Sequence, residues 1–229
     1  NKLIAYYLWL LYQFYERTGI DMSRVRFREL DEKDRAFYAT YAFDFEVETS
    51  LGWIELVACN YRSDYDLSGH SKSSNQDLRI SEEDNVKFIP HIFELSMGVD
   101  RSIYCILEHG LIRDGERDVL KLKSCLSPIQ VGILPLVNKD GISNRALQLH
   151  EELKMDFNTI YDGSGSIGRR YRRLDEIGSP VCITIDYQTL EDDTVTIRDR
   201  DSMTQIRKPI SNIREVLEEI ISTPDLNNK

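Results

Sequence analysis

The chain has 229 residues, 41% of them hydrophobic, with 29 Lys and Arg against 39 Asp and Glu for a formal charge of −10. That apolar content excludes an intrinsically disordered chain, and no segment reaches the roughly 18 consecutive apolar residues of a membrane-spanning helix. The negative balance excludes bulk attraction to nucleic acid, so any such contact needs a local basic patch.

The length allows one large domain or two of ordinary size. Leu3 to Tyr15 is the longest apolar candidate, but Gln13 interrupts it and Glu16-Arg17 closes it. Without a basic leader or a small-residue cleavage site it does not read as a signal peptide. The chain opens on Asn1, which points to a missing upstream part. Cys59, Cys105, Cys125 and Cys182 lie far apart with no C-x-x-C pair. They read as buried free thiols in a reducing cytoplasm, in preference to a zinc site or a redox pair.

Residues 2 to 17 read as a helix with Leu3, Tyr7, Leu10 and Phe14 at helical spacing, stopped at Gly19. Arg24 to Arg28 alternates and suggests a strand. Phe43 to Glu48 puts Phe43, Phe45 and Val47 on one face and Asp44, Glu46 and Glu48 on the other. With the Leu51-Gly52 turn and a strand from Trp53 to Cys59, it predicts an antiparallel hairpin. Residues 60 to 86, polar and rich in Ser, Asp and Asn, read as a long loop. Lys87 to Met97 reads as a strand interrupted at Pro90, and Gly98 to His109 as a helix closed by Gly110.

The charged stretch 113 to 118 is a linker candidate. Beyond Pro128 the pattern changes to strands alternating with helices, which indicates an α/β layer. Strands are expected at 129–134, 157–161, 181–186 and 194–198, and helices at 143–154, 169–177 and 210–221. The expected division is a first domain over 1–115, a linker over 116–126 and a second domain over 127–229.

Four features carry chemistry. Strict alternation places Glu55 with Trp53, Val57 and Cys59, where it meets either solvent or an arginine of the next strand. Ile92, Glu94 and Ser96 share a face, so two strands of one sheet would each present a carboxylate, with a hydroxyl nearby. Such a floor suits a divalent cation or an ammonium group, and equally a solvated sheet face. Arg101 falls in the first turn of a helix, where a cation is disfavoured without an anionic partner; that partner is a phosphate or a local carboxylate such as Asp100.

The fourth is Gly163 to Gly168, which fits G-x-G-x-x-G with Asp186 downstream. The preceding segment is too polar for the central strand of a doubly wound sheet, and Arg169-Arg170-Tyr171-Arg172-Arg173 follows the last glycine. Four arginines around a tyrosine suggest phosphate and base contacts along a nucleic-acid strand, or a solvated face paired with Asp175 and Glu176.

Taken together these segments resemble one family. Trp53 to Ala58 with Tyr61 to Leu67 and His70 resembles the WxExxGxAxRxDYDLxxH stretch of class II glycyl-tRNA synthetases, and Phe93 to Arg101 resembles their EPSxGxxR motif. Ser164 to Gly178 is similar to a distinctive loop of their anticodon-binding domain, and Arg198 to Arg207 to that domain's last strand and turn. The resemblance is to the archaeal and eukaryotic members.

The resemblance implies an α+β antiparallel-sheet class II catalytic domain, present in part, followed by an α/β anticodon-binding domain with a mixed sheet. It implies Glu94 and Ser96 on the glycine, and Glu55, Leu56, Gly98, Val99, Asp100 and Arg101 on ATP. Arg101 is the implied catalytic residue, and Glu55 serves the Mg2+ of the nucleotide. Arg169, Arg170, Arg172 and Arg173 are implied on tRNA-Gly. The implied protein is a cytoplasmic homodimer with no membrane partner, joining glycine to tRNA-Gly through glycyl adenylate.

Departures from the pattern are Leu95 for the usual Pro, Cys59-Asn60 for Ala-Asp, and residues 28 to 38, which lack the family's His. The family's first and second motifs are absent from this chain. It is therefore expected to be inactive in isolation, and a synthetase-like tRNA-binding protein without catalysis is the alternative.

Overall fold

The computed structural model describes residues 2–82 and 86–221, and the chain forms two compact units, Asn1–His109 and Gly110–Lys229.

The first unit contains α1 (Lys2–Thr18), β1 (Val25–Glu29), β2 (Tyr41–Thr49), β3 (Gly52–Ser63), α2 (Tyr65–Ser74), β4 (Ile80–Ser81), β5 (Lys87–Phe88), β6 (Ile92–Met97) and α3 (Val99–Gly110). Four strands form an antiparallel sheet in the order β1-β2-β3-β6. Its core packs Phe45, Val47, Val57 and Cys59 of the sheet against Leu11 and Tyr15 of α1 and Cys105 of α3. Tyr15 stacks on Phe45 at 4.7 Å between ring centroids, and its hydroxyl lies 2.8 Å from Ser102 Oγ. The other sheet face carries the polar residues.

Helix α1 is amphipathic, but its buried stripe is Ile4, Leu11 and Tyr15, while Leu3 and Phe14 of the expected stripe are exposed. Aromatic residues occur all around this helix, so periodicity alone could not choose its face. The expected loop over 60–86 is also corrected. β3 continues to Ser63, α2 follows directly, and β4 and β5 form a small hairpin. α2 buries no residue, so it leaves no apolar period in the sequence. Arg62 holds it down through paired bonds to Asp66, at 2.6 and 2.5 Å.

The second unit opens with a hairpin, β7 (Leu111–Asp114) and β8 (Arg117–Leu120), followed by a 3-10 turn at Ser124–Leu126. Then come β9 (Val131–Pro135), α4 (Ile142–Leu153), β10 (Thr159–Tyr161), α5 (Ile167–Glu176), β11 (Val181–Ile185), α6 (Tyr187–Asp192), β12 (Thr194–Asp199), β13 (Gln205–Pro209) and α7 (Ile213–Ile221). The sheet order is β10-β9-β11-β12-β13. β10, β9 and β11 are parallel, while β12 and β13 run antiparallel, so the sheet is mixed.

Side chains of α4 and α7 cover one face through Ala146, Leu149, Leu153, Ile213 and Leu217. On the other face Leu174 of α5 packs with Leu134 and Cys182. Gly132 allows that approach: a methyl group there would sit 2.1 Å from Leu174 Cδ1.

The segment expected as a linker belongs to this unit. One of its charges turns inward: Arg117 is mostly buried and bonds to Asp175 at 3.0 Å, and also to the Arg200 carbonyl at 2.9 Å. Arg113, Asp114, Glu116 and Asp118 stay exposed, so the charge pattern resembled a solvated tether although Arg117 joins a buried network.

Cys59, Cys105 and Cys182 are buried free thiols and Cys125 is half-buried. Burial, first of all, pushes Cys59 and Cys182 up to about 12 and Cys105 to about 11, so these thiols are protonated and inert at neutral pH. No helix among the described residues is long and apolar enough to cross a membrane.

Candidate functional site

The polar face of the first sheet is assembled by a β-bulge. Phe45 pairs with Val57 but Glu46 pairs with Glu55, so Leu56 is the extra residue on β3. An inserted residue reverses the alternation beyond it. Val57 and Cys59 therefore enter the core with Leu56, whereas Glu55 lies opposite Glu46 on the polar side. Without the bulge, Glu55 would share the face of Val57 and Cys59, opposite to Glu94 and Ser96. The bulge thus places on one face of the sheet the two carboxylates that strict alternation separates.

On this floor Asn60 pairs across with Glu94, and Ala58 with Ser96. Glu94 is half-buried. Its Oε2 accepts from Arg62 Nη1 at 2.9 Å and from Asn60 Nδ2 at 3.4 Å, and its Oε1 accepts from Ser96 Oγ at 3.4 Å. Arg62 is immobilised in turn: Asp66 takes its fork, and its guanidinium lies 3.9 Å from the centre of the Tyr38 ring. Those bonds to Asp66 and Glu94 hold Arg62 above its usual range, and the same Arg62 fork holds Asp66 below its own. The result is a fixed carboxylate with a hydroxyl beside its freer oxygen, an arrangement that suits an ammonium group.

Arg101 finds its anionic partner in Glu55 and not in Asp100. Its Nη1 lies 3.6 Å from Glu55 Oε1 and donates to the Glu55 carbonyl at 2.9 Å. Gly98 makes room for it, since a methyl group there would sit 3.3 Å from Arg101 Cδ. The Gly98 amide donates to the Leu56 carbonyl at 2.9 Å. Val99 and Asp100 are exposed on the first turn of α3, and the Leu56 side chain is buried in the core, leaving only its backbone at the floor. Among the described residues no group of three or more His, Cys, Asp or Glu is placed to hold a metal. Glu55 offers a single carboxylate, which matches Mg2+ arriving with nucleotide phosphates that supply its other ligands.

Sequence reasoning passed over Arg62, Asn60 and Asp66, and also the buried Asp44 and Glu46. Glu46 pairs with Arg26 at 2.6 Å, and Asp44 with Arg28 at 3.3 Å. The alternation of β2 already placed these acids on one face; the alternating arginines of β1 were the signal that they are paired.

In the second unit the four arginines of α5 divide into two pairs. Arg170 is 3% exposed and donates to the carbonyls of Gly163 at 2.8 Å, Gly165 at 2.6 Å and Pro135. Arg173 bonds to Asp162 and to the Ser164 carbonyl at 2.7 Å. Arg169 and Arg172 are exposed one turn apart, and neither side chain has a hydrogen bond or ion pair among the described residues.

The glycine loop thus presents its carbonyls to a cation, the reverse of the amide cradle that a dinucleotide phosphate requires. Asp186 is also engaged. It caps α6 and holds Arg207 at 2.8 Å, and chiefly that arginine brings it down to about 2. The resemblance to a dinucleotide fingerprint is therefore one of spacing only.

A test follows from this division. Arg170→Met is expected to loosen the 163–166 loop and lower stability by about 2–4 kcal/mol, since charged hydrogen bonds contribute ~1.5–3 kcal/mol each and do not add fully. Arg169→Ala is expected to leave the melting temperature unchanged and to weaken RNA binding alone. Thermal melts and fluorescence titration with an RNA hairpin distinguish the two; equal melting temperatures would contradict the division.

Residues 130–220 match the family model described as anticodon binding domain. The chain is 34% identical to the glycine–tRNA ligase of Archaeoglobus fulgidus over 96% of its own length and 52% of that protein. It is 40% identical to the glycine–tRNA ligase of Treponema denticola over 86% of this chain and 46% of the relative. For that of Clostridium acetobutylicum the identity is 40%, over 94% of this chain and 47% of the relative. The chain spans about half the length of these curated relatives.

Proposed function

We propose, for a chain that belongs to the glycine–tRNA ligase family, that its protein activates glycine with ATP to glycyl adenylate and transfers the glycyl group to tRNA-Gly. The first unit is then part of a class II catalytic domain and the second binds the anticodon end of the tRNA. The protein acts as a homodimer in the cytoplasm. The observation that carries this reading is a similarity that runs through both units, over 86–96% of the chain.

The geometry supports the assignment of roles. Glu94 and Ser96 receive the glycine ammonium; Arg62, Asn60 and Asp66 keep that carboxylate in place. Arg101, beside Glu55 at the turn after β6, meets the nucleotide triphosphate. Glu55 would hold the Mg2+ that accompanies the nucleotide, and that ion would neutralise phosphate charge. Most of the acceleration then comes from holding the reactants together and from charge neutralisation around the phosphate. Glycine has no side chain to grasp, so selectivity comes from a pocket that excludes larger amino acids.

ATP–pyrophosphate exchange tests this directly. The full-length protein is expected to catalyse exchange with glycine and at background with alanine or serine. The 229-residue chain alone is expected to catalyse none. Glycine-independent exchange, or none by the full-length protein, would remove the ligase reading and leave a tRNA-binding protein.

A further inference from the structure

Every amino acid carries an ammonium group, so a carboxylate that receives it cannot tell glycine from alanine. The residues that turn larger amino acids away decide the selectivity of such a site. In this fold they lie on β3. The register sets Asn60 directly across from Glu94 and Ala58 directly across from Ser96. On the opposite side of β3, Asn60 faces Ala42 and Ala58 faces Asp44, both buried. Residues two apart on a strand share a face, so one amide and one methyl group form the strip of floor beside Glu94 and Ser96. Directly opposed residues have Cβ atoms about 4.5–5.5 Å apart, which leaves little space along that strip. Both Asn60 and Ala58 are half-buried.

The hydrogen bonds fix the side from which a ligand comes. Glu94 Oε2 is spent on Arg62 Nη1 at 2.9 Å and Asn60 Nδ2 at 3.4 Å, while Oε1 has only Ser96 Oγ beside it at 3.4 Å. An ammonium group therefore settles between Oε1 and Ser96 Oγ. The carbon that bears it, one bond farther, lies over Ala58 and the Asn60 amide. Neither group gives way: the bond to Glu94 fixes the amide plane, and Ala58 is backed by Asp44, which Arg28 holds at 3.3 Å. Resting on the reading that Glu94 and Ser96 receive glycine, we propose that Asn60 and Ala58 are the specificity-determining residues of this site. They stand where the side chain of alanine or serine would go and leave room for hydrogen only. Arg62 and Asp66 position the carboxylate; Asn60 does that and also closes the floor.

ATP–pyrophosphate exchange by the full-length protein tests this through the ratio of kcat/KM for glycine to kcat/KM for alanine. Asn60→Ala opens the floor and is expected to lower that ratio by roughly tenfold or more, the lower range for one methyl group. Ala58→Gly is expected to lower it in the same direction and stands in for Asn60→Ala should that variant not fold. Asn60→Leu keeps the volume and removes the bond to Glu94. It is expected to lower kcat/KM for glycine while the ratio stays near that of the wild type. Melting temperatures serve as the folding control for all three. A ratio unchanged in both Asn60→Ala and Ala58→Gly would overturn the proposal. A ratio lowered as far by Asn60→Leu as by Asn60→Ala would overturn it too, since Asn60 would then act only by holding Glu94. Absence of glycine-dependent exchange in the wild type would remove the ligase reading itself.

Discussion

Asp175→Ala is expected to unfold the second unit at a temperature lower by roughly 15 °C or more, with a loss of about 3–5 kcal/mol. Asp175 is completely buried between Arg198, 6% exposed at its side chain, and Arg117, 11% exposed. Removing the carboxylate strands two arginines whose desolvation it offsets, and stranded buried charge costs far more than a lost surface pair. Arg117 also holds the β7–β8 hairpin to the rest of the unit through Asp175 and the Arg200 carbonyl. The hairpin is therefore expected to lose amide-exchange protection along with the unit. Combining Asp175→Ala with Arg198→Met separates charge from packing. If stranded charge is the cause, the double variant is more stable than the sum of the single losses predicts. Thermal melts of the single and double variants check this, and simple additivity would contradict it.

Glu94→Gln in the full-length protein is expected to lower kcat/KM for glycine in ATP–pyrophosphate exchange by about 10- to 100-fold, the scale of one charge-assisted hydrogen bond. KM for ATP is expected to change little. The substitution keeps size and shape, so Asn60 and Ser96 still surround the side chain, but the negative charge that would face the ammonium is gone. Ser96→Ala, which removes a hydroxyl 3.4 Å from Glu94 Oε1, is expected to have a smaller effect in the same direction. Exchange kinetics against glycine concentration read both. A Glu94→Gln protein with wild-type glycine kinetics would remove Glu94 from the amino-acid site.

Much of this was legible in the residues, and the exceptions have physical causes. The strands of the first sheet follow from alternation, because one face packs on helices and the other is polar. The bulge at Leu56 was not legible: it inserts one residue into an otherwise regular strand, and only the pairing register reveals it. Alternation alone separates Glu55 from Glu94, although the motifs suggest that both belong to one site.

The α2 helix was hidden because it buries nothing: the Arg62 fork on Asp66 and ring contacts of Tyr65 with Phe37 and Tyr38 hold it. In the second unit the basic cluster was visible, but not its division. Arg170 and Arg173 turn back onto backbone carbonyls and Asp162, whereas Arg169 and Arg172 face outward. Helical spacing could separate the two faces, but only the folded loop shows which face is spent on structure. Charge in the 113–118 stretch misled for the same reason, since Arg117 is neutralised by Asp175, which is distant in sequence.

Charging of tRNA by the full-length protein tests the central claim most directly. Radiolabelled glycine is expected to become acid-precipitable on tRNA-Gly in the presence of ATP and Mg2+, and to remain free with tRNA of another anticodon or with ATP omitted. No transfer of glycine to tRNA-Gly under these conditions would contradict the account.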